Sequence, residues 1–132
     1  MAGSLSKQAG TRWETRVVTY LRRYWPKIER RQLTGRFDKG DILNGPDDWT
    51  LECKAEARIN LPLYLRQAKA EAENAGTSRY VAIVKNRRGK LSSGSVEDAF
   101  AVMPLHLWAS LVCELEALRD LVDVFDPDWK LK

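Results

Sequence analysis

The sequence predicts an α/β fold in which helices flank a mixed β-sheet, and two observations support this class. The chain has 132 residues, of which 44% are hydrophobic and 30% charged, which is typical of one globular domain. The period of its apolar residues changes along the chain and indicates a helix, two strands, a helix, two strands and a final helix. We therefore expect one domain over residues 1–132, with residues 1–10 as a flexible leader.

The first helix is predicted to begin at Thr11 and to be limited by Pro26, which cannot continue a helix. Thr11 and Glu14 have the spacing of a capping box, which marks a helix start. The apolar residues of this segment recur at spacings of three and four. They are Trp13, Val17, Val18, Tyr20, Leu21 and Tyr24. Residues 27–40 are basic and irregular, although the stretch 31–37 is compatible with a short strand.

Two strands joined by a tight turn are predicted next, over residues 41–43 and 49–57. The residues between them include the strong turn formers Asn44, Gly45, Pro46 and Asp47. This pattern is typical of a β-hairpin. In the second strand, the side-chain period of two places Glu52 and Lys54 on one face and Cys53 on the other.

The rest of the chain predicts a helix, two strands and a third helix. The second helix starts near Asn60, carries an apolar stripe at Leu61, Leu65, Ala68 and Ala72, and stops at Gly76. Residues 79–85 and 100–103 have the apolar, β-branched character of strands. The third helix follows from Pro104. Its apolar face is expected to bury Leu107, Trp108, Leu111, Val112 and Leu115.

Positive charge is concentrated near the start of the chain. The net charge is +4, yet residues 1–40 hold ten Lys and Arg against three acids. Such a segment attracts polyanions through counterion release, although a solvated basic surface remains an alternative. No stretch approaches the roughly 18 consecutive apolar residues of a membrane span, and the first ten residues lack the apolar run of a secretion signal. We therefore expect a cytoplasmic, intracellular protein without a membrane partner.

Few residues are available for thiol or histidine chemistry. Cys53 and Cys113 are far apart, and each lies in an apolar pattern, so both are expected to be buried thiols rather than a disulfide or a metal knuckle. His106 is the only histidine. A histidine-metal nuclease, a zinc hydrolase and a Ser-His-Asp hydrolase are therefore excluded, and His106 is expected to be structural.

Two acids and a lysine have the arrangement that a phosphodiester hydrolase requires. The predicted hairpin brings Asp41 beside Glu52 and Lys54. Two carboxylates can hold Mg²⁺, which prefers oxygen ligands, and a lysine can offset the negative charge that develops on the phosphate. Asp38 is a rival to Asp41, and an exposed strand face is the alternative for the Glu52 and Lys54 pair. Turn chemistry explains Asp47 and Asp48.

These residues resemble the signature of the PD-(D/E)xK nuclease superfamily. The acidic element reads GDI at residues 40–42, and the second element reads LECK at residues 51–54. The pattern is similar, in more detail, to archaeal and phage Holliday junction resolvases, whose first helix bears a glutamate shortly after a basic, Gly-containing leader. That glutamate corresponds to Glu14 in GTRWETRVV. The resemblance covers approximately residues 10–85.

The resemblance implies a restriction-endonuclease-like fold and an Mg²⁺-dependent endodeoxyribonuclease, in which Mn²⁺ can substitute. Asp41 and Glu52 would be metal ligands, together with the backbone carbonyl of Cys53. Lys54 would be the catalytic lysine, and Glu14 would support a metal from the first helix, directly or through water. The expected substrate is branched DNA such as a four-way junction, and a phage or prophage origin is consistent with this likeness.

The resemblance and the charge pattern also predict DNA contacts and a homodimer, because two symmetric cuts need two active sites. Gln67 matches a polar residue that many members place on the helix after the lysine strand. Residues expected to contact DNA phosphates are Arg12, Arg16, Arg36 and Lys39, with Arg87, Arg88 and Lys90 as secondary candidates. The third helix or the strand at 79–85 could form the dimer interface. The alternatives are a non-catalytic DNA-binding or assembly module and another restriction-like or replication-associated nuclease.

Overall fold

The structure, a computed structural model, describes residues 2–31, 40–88 and 95–131. It is a mixed α/β structure that divides into two compact units, Met1–Val102 and Met103–Lys132. The first unit contains α1 (Ala2–Leu21), β1 (Glu29–Arg30), β2 (Ile42–Leu43), β3 (Trp49–Lys54), α2 (Leu61–Ala75), β4 (Arg79–Val84), a 3₁₀ turn (Val96–Asp98) and β5 (Phe100–Val102). The second unit contains α3 (Leu105–Phe125) and a 3₁₀ turn (Trp129–Leu131).

A small mixed sheet forms the centre of the first unit. Strand β4 is its central strand and pairs in parallel with β3 and antiparallel with β5. In the parallel register Glu52 lies opposite Ala82 and Lys54 opposite Val84. Strand β3 is buried on both faces, as expected for a strand in a covered parallel pair. The mixed sheet predicted from the sequence is therefore present.

The predicted hairpin between residues 41–43 and 49–57 is wrong. Strand β2 pairs with β1, which the sequence did not predict, and β3 pairs with β4 instead. The two-residue β2 offers few ladder hydrogen bonds, whereas β4 matches all six residues of β3. Asn44 and Asp48 both have positive φ, so the connection between β2 and β3 does form a turn. That turn reverses the direction of the chain, but β2 and β3 do not pair as a β-hairpin.

Helix α1 begins at Ala2 rather than at the predicted Thr11, so it includes the segment expected to be a leader. Thr11 lies inside the helix, where its carbonyl accepts a hydrogen bond from the Thr15 hydroxyl at 3.0 Å. The predicted capping box of Thr11 and Glu14 is therefore wrong. Trp13 and the two valines at 17–18 are buried as predicted, whereas Tyr24 is 60% exposed.

Helix α2 matches its prediction closely. The Asn60 side chain caps the helix by accepting a hydrogen bond from the Leu63 N–H at 3.2 Å. Gly76 ends the helix with φ of +74°, a left-handed conformation that glycine adopts without steric cost. Tyr64, which is fully buried, packs with residues of β4 to form a core cluster that consists of Tyr64, Ala82 and Val84.

Helix α3 forms where the sequence predicted it, but its apolar face is largely exposed. All residues of α3 are described, and of these only Leu107 is buried. Trp108 is 52% exposed and Leu115 is 48% exposed, so the prediction that both are buried is wrong. Cys53 is buried as predicted, but Cys113 is exposed, which corrects the expectation of two buried thiols. Among the described residues, no helix is long and apolar enough to cross a membrane.

Candidate active site

Asp41, Glu52 and Lys54 line one cavity of about 440 Å³ in the first unit. We call it the acidic cavity, because four carboxylate residues and two basic residues line it. Its walls come from α1, from Asp41 just before β2, from β3, and from the segments that follow β3 and β4. The lining residues are Ala9, Gly10, Glu14, Asp41, Glu52, Cys53, Lys54, Ala55, Glu56, Ala57 and Arg87. The three residues that the sequence singled out are therefore brought together.

Glu52 is a buried acid on β3. Its Oε1 lies 3.1 Å from the Nζ of Lys54, as expected for two side chains on the same strand face. Its Oε2 is buried and has no hydrogen-bond partner among the described residues. Leaving a buried carboxylate oxygen without a partner is costly, and a bound cation would remove that cost.

Asp41 is held against β3 by hydrogen bonds rather than by a hairpin ladder. Its Oδ2 accepts a hydrogen bond from the Cys53 N–H at 2.7 Å. Its backbone N–H donates to the Leu51 carbonyl at 3.2 Å, and its own carbonyl accepts from the Arg31 N–H at 2.8 Å. These contacts fix the carboxylate beside Glu52, which is the outcome that the hairpin was expected to produce.

Lys54 is surrounded by negative charge. Burial by itself would lower the pKa of Lys54, but the neighbouring Glu52, followed by Glu56 and Asp41, outweighs it, so this pKa is raised. The ammonium also lies 5.4 Å from the centre of the Tyr64 ring. Lys54 therefore carries a proton at neutral pH and can act as a cation and hydrogen-bond donor.

The pKa of the Cys53 thiol is raised by its surroundings. Burial raises its pKa first, and the negative charges of Asp41, Glu14, Glu52 and Glu71 raise it further. Three of these four carboxylates, those of Asp41, Glu14 and Glu52, also line the acidic cavity. The cavity concentrates negative charge, which favours a cation as its occupant.

Glu14 lines the acidic cavity from α1, as the resemblance implies, but its carboxylate already has a partner. Its Oε2 lies 3.0 Å from the Nε of Arg30. Within the part of the chain that the structure describes, no group of three or more His, Cys, Asp or Glu residues has the geometry to hold a metal ion. Asp41 and Glu52, the two metal ligands expected from the sequence, both line this cavity.

Of the described residues predicted to contact DNA, only Arg87, a secondary candidate, lines the acidic cavity. Arg12 and Arg16 lie on α1, with the Arg16 guanidinium 5.5 Å from the Trp13 ring. Gln67 lies on α2 and does not line the acidic cavity, and its buried Oε1 has no hydrogen-bond partner among the described residues. Three further DNA-contact candidates fall outside the described residues, namely Arg36, Lys39 and Lys90. Asp38, the rival to Asp41, also falls outside them.

Sequence reasoning missed Glu56 and gave Arg87 only a secondary role. The Glu56 carboxylate accepts a hydrogen bond from the Tyr64 hydroxyl at 2.9 Å, and the Arg87 guanidinium donates to the Ala55 carbonyl. Glu56 follows Lys54 by two positions, so the strand period of two was the signal that could have found it. Arg87 comes from a loop, whose position no sequence period reveals.

Comparisons with protein-family models, with curated proteins and with solved structures found no match. The chemistry of the site is therefore deduced from its own residues.

Proposed function

We propose that the protein is a metal-dependent DNA endonuclease that hydrolyses phosphodiester bonds in the acidic cavity. The observation that carries this proposal is the buried Oε2 of Glu52, which has no described partner and lies in a cavity that Asp41 also lines. A purely structural ion pair with Lys54 would not require a second acid at the same opening. The resemblance to PD-(D/E)xK nucleases supports a restriction-endonuclease-like fold and the same assignment of residues.

The donor set fits Mg²⁺ or Mn²⁺. Mg²⁺ is usually bound by one or two carboxylates together with waters and substrate phosphate, so a third protein ligand is not required. Asp41 and Glu52 would hold the cation, with the Cys53 carbonyl as the third group that the resemblance implies. A cation bound there would supply positive charge that stabilises the anionic transition state of phosphodiester hydrolysis.

Lys54 and Asp41 have separate roles in this proposal. Lys54 would orient a phosphate oxygen and offset the negative charge that develops there. Asp41 is fixed by the Cys53 N–H, so its carboxylate needs little reorganisation when substrate binds. Branched DNA is the substrate that the resemblance to junction resolvases favours.

The proposal is tested by incubating the purified protein with a four-way junction, a linear duplex and a single strand, with Mg²⁺ or with EDTA. We expect Mg²⁺-dependent cleavage of the junction, and a loss of about 100-fold or more in Asp41→Asn, Glu52→Gln and Lys54→Met. Glu73→Gln and Lys69→Gln change exposed residues of α2 outside the cavity and serve as matched controls. Wild-type levels of cleavage in the first three variants would eliminate this site.

Two active sites for symmetric cutting call for a dimer, and we assign its interface to α3. Strand β4, the other candidate, is the central strand of its sheet, paired along its whole length with β3 and over residues 82–84 with β5. Six of the exposed or half-exposed apolar residues of α3 recur at spacings of three and four, which is the heptad pattern of a coiled coil. They are Trp108, Leu111, Leu115, Leu118, Val122 and Phe125.

Charge along the same helix favours a parallel pairing with a second copy of this chain. When the six apolar residues occupy the a and d heptad positions, Glu114 falls at a g position and Arg119 at the following e position. In a parallel coiled coil these two positions face each other across the dimer, so each copy would supply both halves of two ion pairs. We therefore propose a parallel homodimer through α3.

A further inference from the structure

A second cavity of about 460 Å³ adjoins the acidic cavity and has the opposite charge. Four basic residues line it, against the one acid Glu56. They are Arg58, Lys85, Arg87 and Arg88. The two cavities share Glu56, Ala57 and Arg87, so they are neighbours on the same surface. We call this second site the basic cavity.

The basic segment of this cavity is held by hydrogen bonds to the rest of the first unit. The Arg87 guanidinium donates to the Ala55 carbonyl after β3. The Asn86 side chain donates to the Asp98 carbonyl at 3.2 Å and accepts from the Arg88 N–H at 3.0 Å. The Lys85 N–H donates to the Lys54 carbonyl at 2.8 Å. The cations are therefore attached to the strand that carries the proposed catalytic lysine.

The positive charges near Lys85 act on one another. Burial lowers the pKa of Lys85 first, and the neighbouring cations Arg87, Arg16 and Arg12 lower it further. Arg12 and Arg16 come from α1, so basic side chains of separate elements converge here. Such a cluster of like charges is unfavourable in the free protein and becomes favourable when an anion binds.

Apolar side chains lie beside these cations. Phe100 lines the basic cavity from β5 and is 45% exposed. Ile59 lines it from the segment between β3 and α2 and is 49% exposed. An exposed aromatic ring next to several cations has the components that recognise an unstacked nucleobase and its phosphate. A duplex keeps its bases stacked inside and would use the cations but not the ring.

We infer that the basic cavity binds an unpaired nucleotide next to the scissile phosphate, with its phosphate on Lys85, Arg87 and Arg88 and its base against Phe100. The identity of this ligand rests on the proposed nuclease function of the acidic cavity. The sharing of Glu56, Ala57 and Arg87 by the two cavities places this nucleotide beside the cleaved bond. The preferred substrate is then DNA with a short unpaired segment at the cut site, such as a flap or an opened branch point.

Binding in EDTA tests this inference without cleavage. Fluorescence anisotropy compares a duplex bearing a short single-stranded overhang, the same overhang with abasic nucleotides, and a blunt duplex. We expect the wild type to prefer the intact overhang. Phe100→Ala should weaken its binding by roughly five-fold or more, and Phe100→Tyr should restore it. The abasic overhang should bind wild type and Phe100→Ala equally, because the base and the ring act as one pair.

Lys85→Gln should weaken overhang binding and reduce the slope of log affinity against log salt by about 0.7, the value for one phosphate contact on a single strand. Tyr24→Ala removes an exposed aromatic residue outside both cavities, and Lys69→Gln removes an exposed cation. Both controls should bind like the wild type. Unchanged overhang binding in Phe100→Ala, or equal wild-type affinity for the blunt duplex and the overhang, would overturn the nucleotide site.

Cleavage of the same substrates in Mg²⁺ separates the two proposals. If DNA is cut but Phe100→Ala and wild type bind identically, the nucleotide site fails and the nuclease stands. If overhang binding depends on Phe100 but no substrate is cut, the nuclease proposal fails and the cavity remains a binding site for unpaired nucleotides.

Discussion

The ammonium of Lys54 lies 3.1 Å from Oε1 of Glu52, while the second oxygen of the same carboxylate is buried without a described partner. The lysine therefore contacts one oxygen of a buried acid and leaves the other without a described partner, at the opening of a cavity that Asp41 also lines. This arrangement leaves room for a second positive charge. The proposed hydrolysis depends on that second charge being a divalent cation.

Removing the Lys54 charge should destabilise the protein and separate metal binding from catalysis. Lys54→Met leaves the Glu52 carboxylate buried without its cation, which should lower the free energy of unfolding by about 3 kcal/mol. Mn²⁺ should stabilise this variant more than the wild type, because the ion replaces the missing charge. Urea denaturation with and without Mn²⁺ measures both effects. Lys69→Met should behave like the wild type. Equal stabilisation of Lys54→Met and the wild type by Mn²⁺ would contradict this role of Lys54.

Gly40 sets the position of Asp41. Its φ is +96°, and an added Cβ would lie 2.7 Å from Cγ2 of Thr50 and 3.3 Å from the Leu51 carbonyl oxygen. Gly40→Ala should therefore cost about 3 kcal/mol through backbone strain and overpacking, and should displace Asp41 enough to impair cleavage. Gly76→Ala is the control, since its φ is +74° but a Cβ would meet nothing within 4 Å.

The two glycine variants are compared by thermal unfolding and by junction cleavage. Gly76→Ala should cost only about 1 kcal/mol and leave cleavage intact. Equal losses in stability for the two variants would show that the close approach to β3 is unimportant.

Asp48 should make the free energy of unfolding depend on pH in the acidic range. Its Oδ1 accepts a hydrogen bond from the Ser78 N–H at 2.8 Å, and this bond, followed by the Ser78 side chain, lowers the pKa of Asp48 below its usual 3.8. The stabilisation is therefore present above pH 3.8 and is lost as the pH falls through the lower folded value. Asp48→Asn should be less stable than the wild type at neutral pH, with a difference that shrinks below pH 3.8. Asp47→Asn is the matched control, and a difference independent of pH would refute this prediction.

The proposed α3 dimer is tested by substituting apolar and charged residues of α3 and measuring the oligomeric state. Leu118→Asp should give a monomer in sedimentation velocity, whereas Val124→Asp changes an exposed residue outside the heptad seam and should leave the dimer intact. Glu114→Arg should weaken the dimer, and the double variant with Arg119→Glu should restore it. A monomeric wild type would remove the proposed interface, as would a failure of the charge swap to restore association.

The parts of the fold that the sequence predicted are those with a repeated local pattern. The strand period placed Glu52 and Lys54 on one face, and their ion pair confirms it. Asn60 marks the start of α2 and Gly76 marks its end. Both could be predicted because a capping side chain and a left-handed glycine act over one turn. These signals depend on neighbours in sequence, so they hold without knowledge of the remaining chain.

The parts that the sequence did not predict depend on contacts between distant segments. Strand β1 is two exposed residues long and carries no pattern, so its pairing with β2 was missed and a hairpin was expected. Thr11 and Glu14 fit a capping box, but α1 begins at Ala2 and continues through both residues. Arg87 reaches the acidic cavity from a loop, which only tertiary structure reveals.

Divalent cation binding to Asp41 and Glu52 is the most direct test of the central claim. We compare Mn²⁺ binding in the wild type, Asp41→Asn, Glu52→Gln and Glu73→Gln. Binding is measured by isothermal titration calorimetry and by the electron paramagnetic resonance signal of the free ion. We expect the wild type and Glu73→Gln to bind Mn²⁺ equally and the other two to bind it at least about ten-fold more weakly. Equal binding in all four proteins, or none in the wild type with junction DNA present, would contradict a cation held by Asp41 and Glu52.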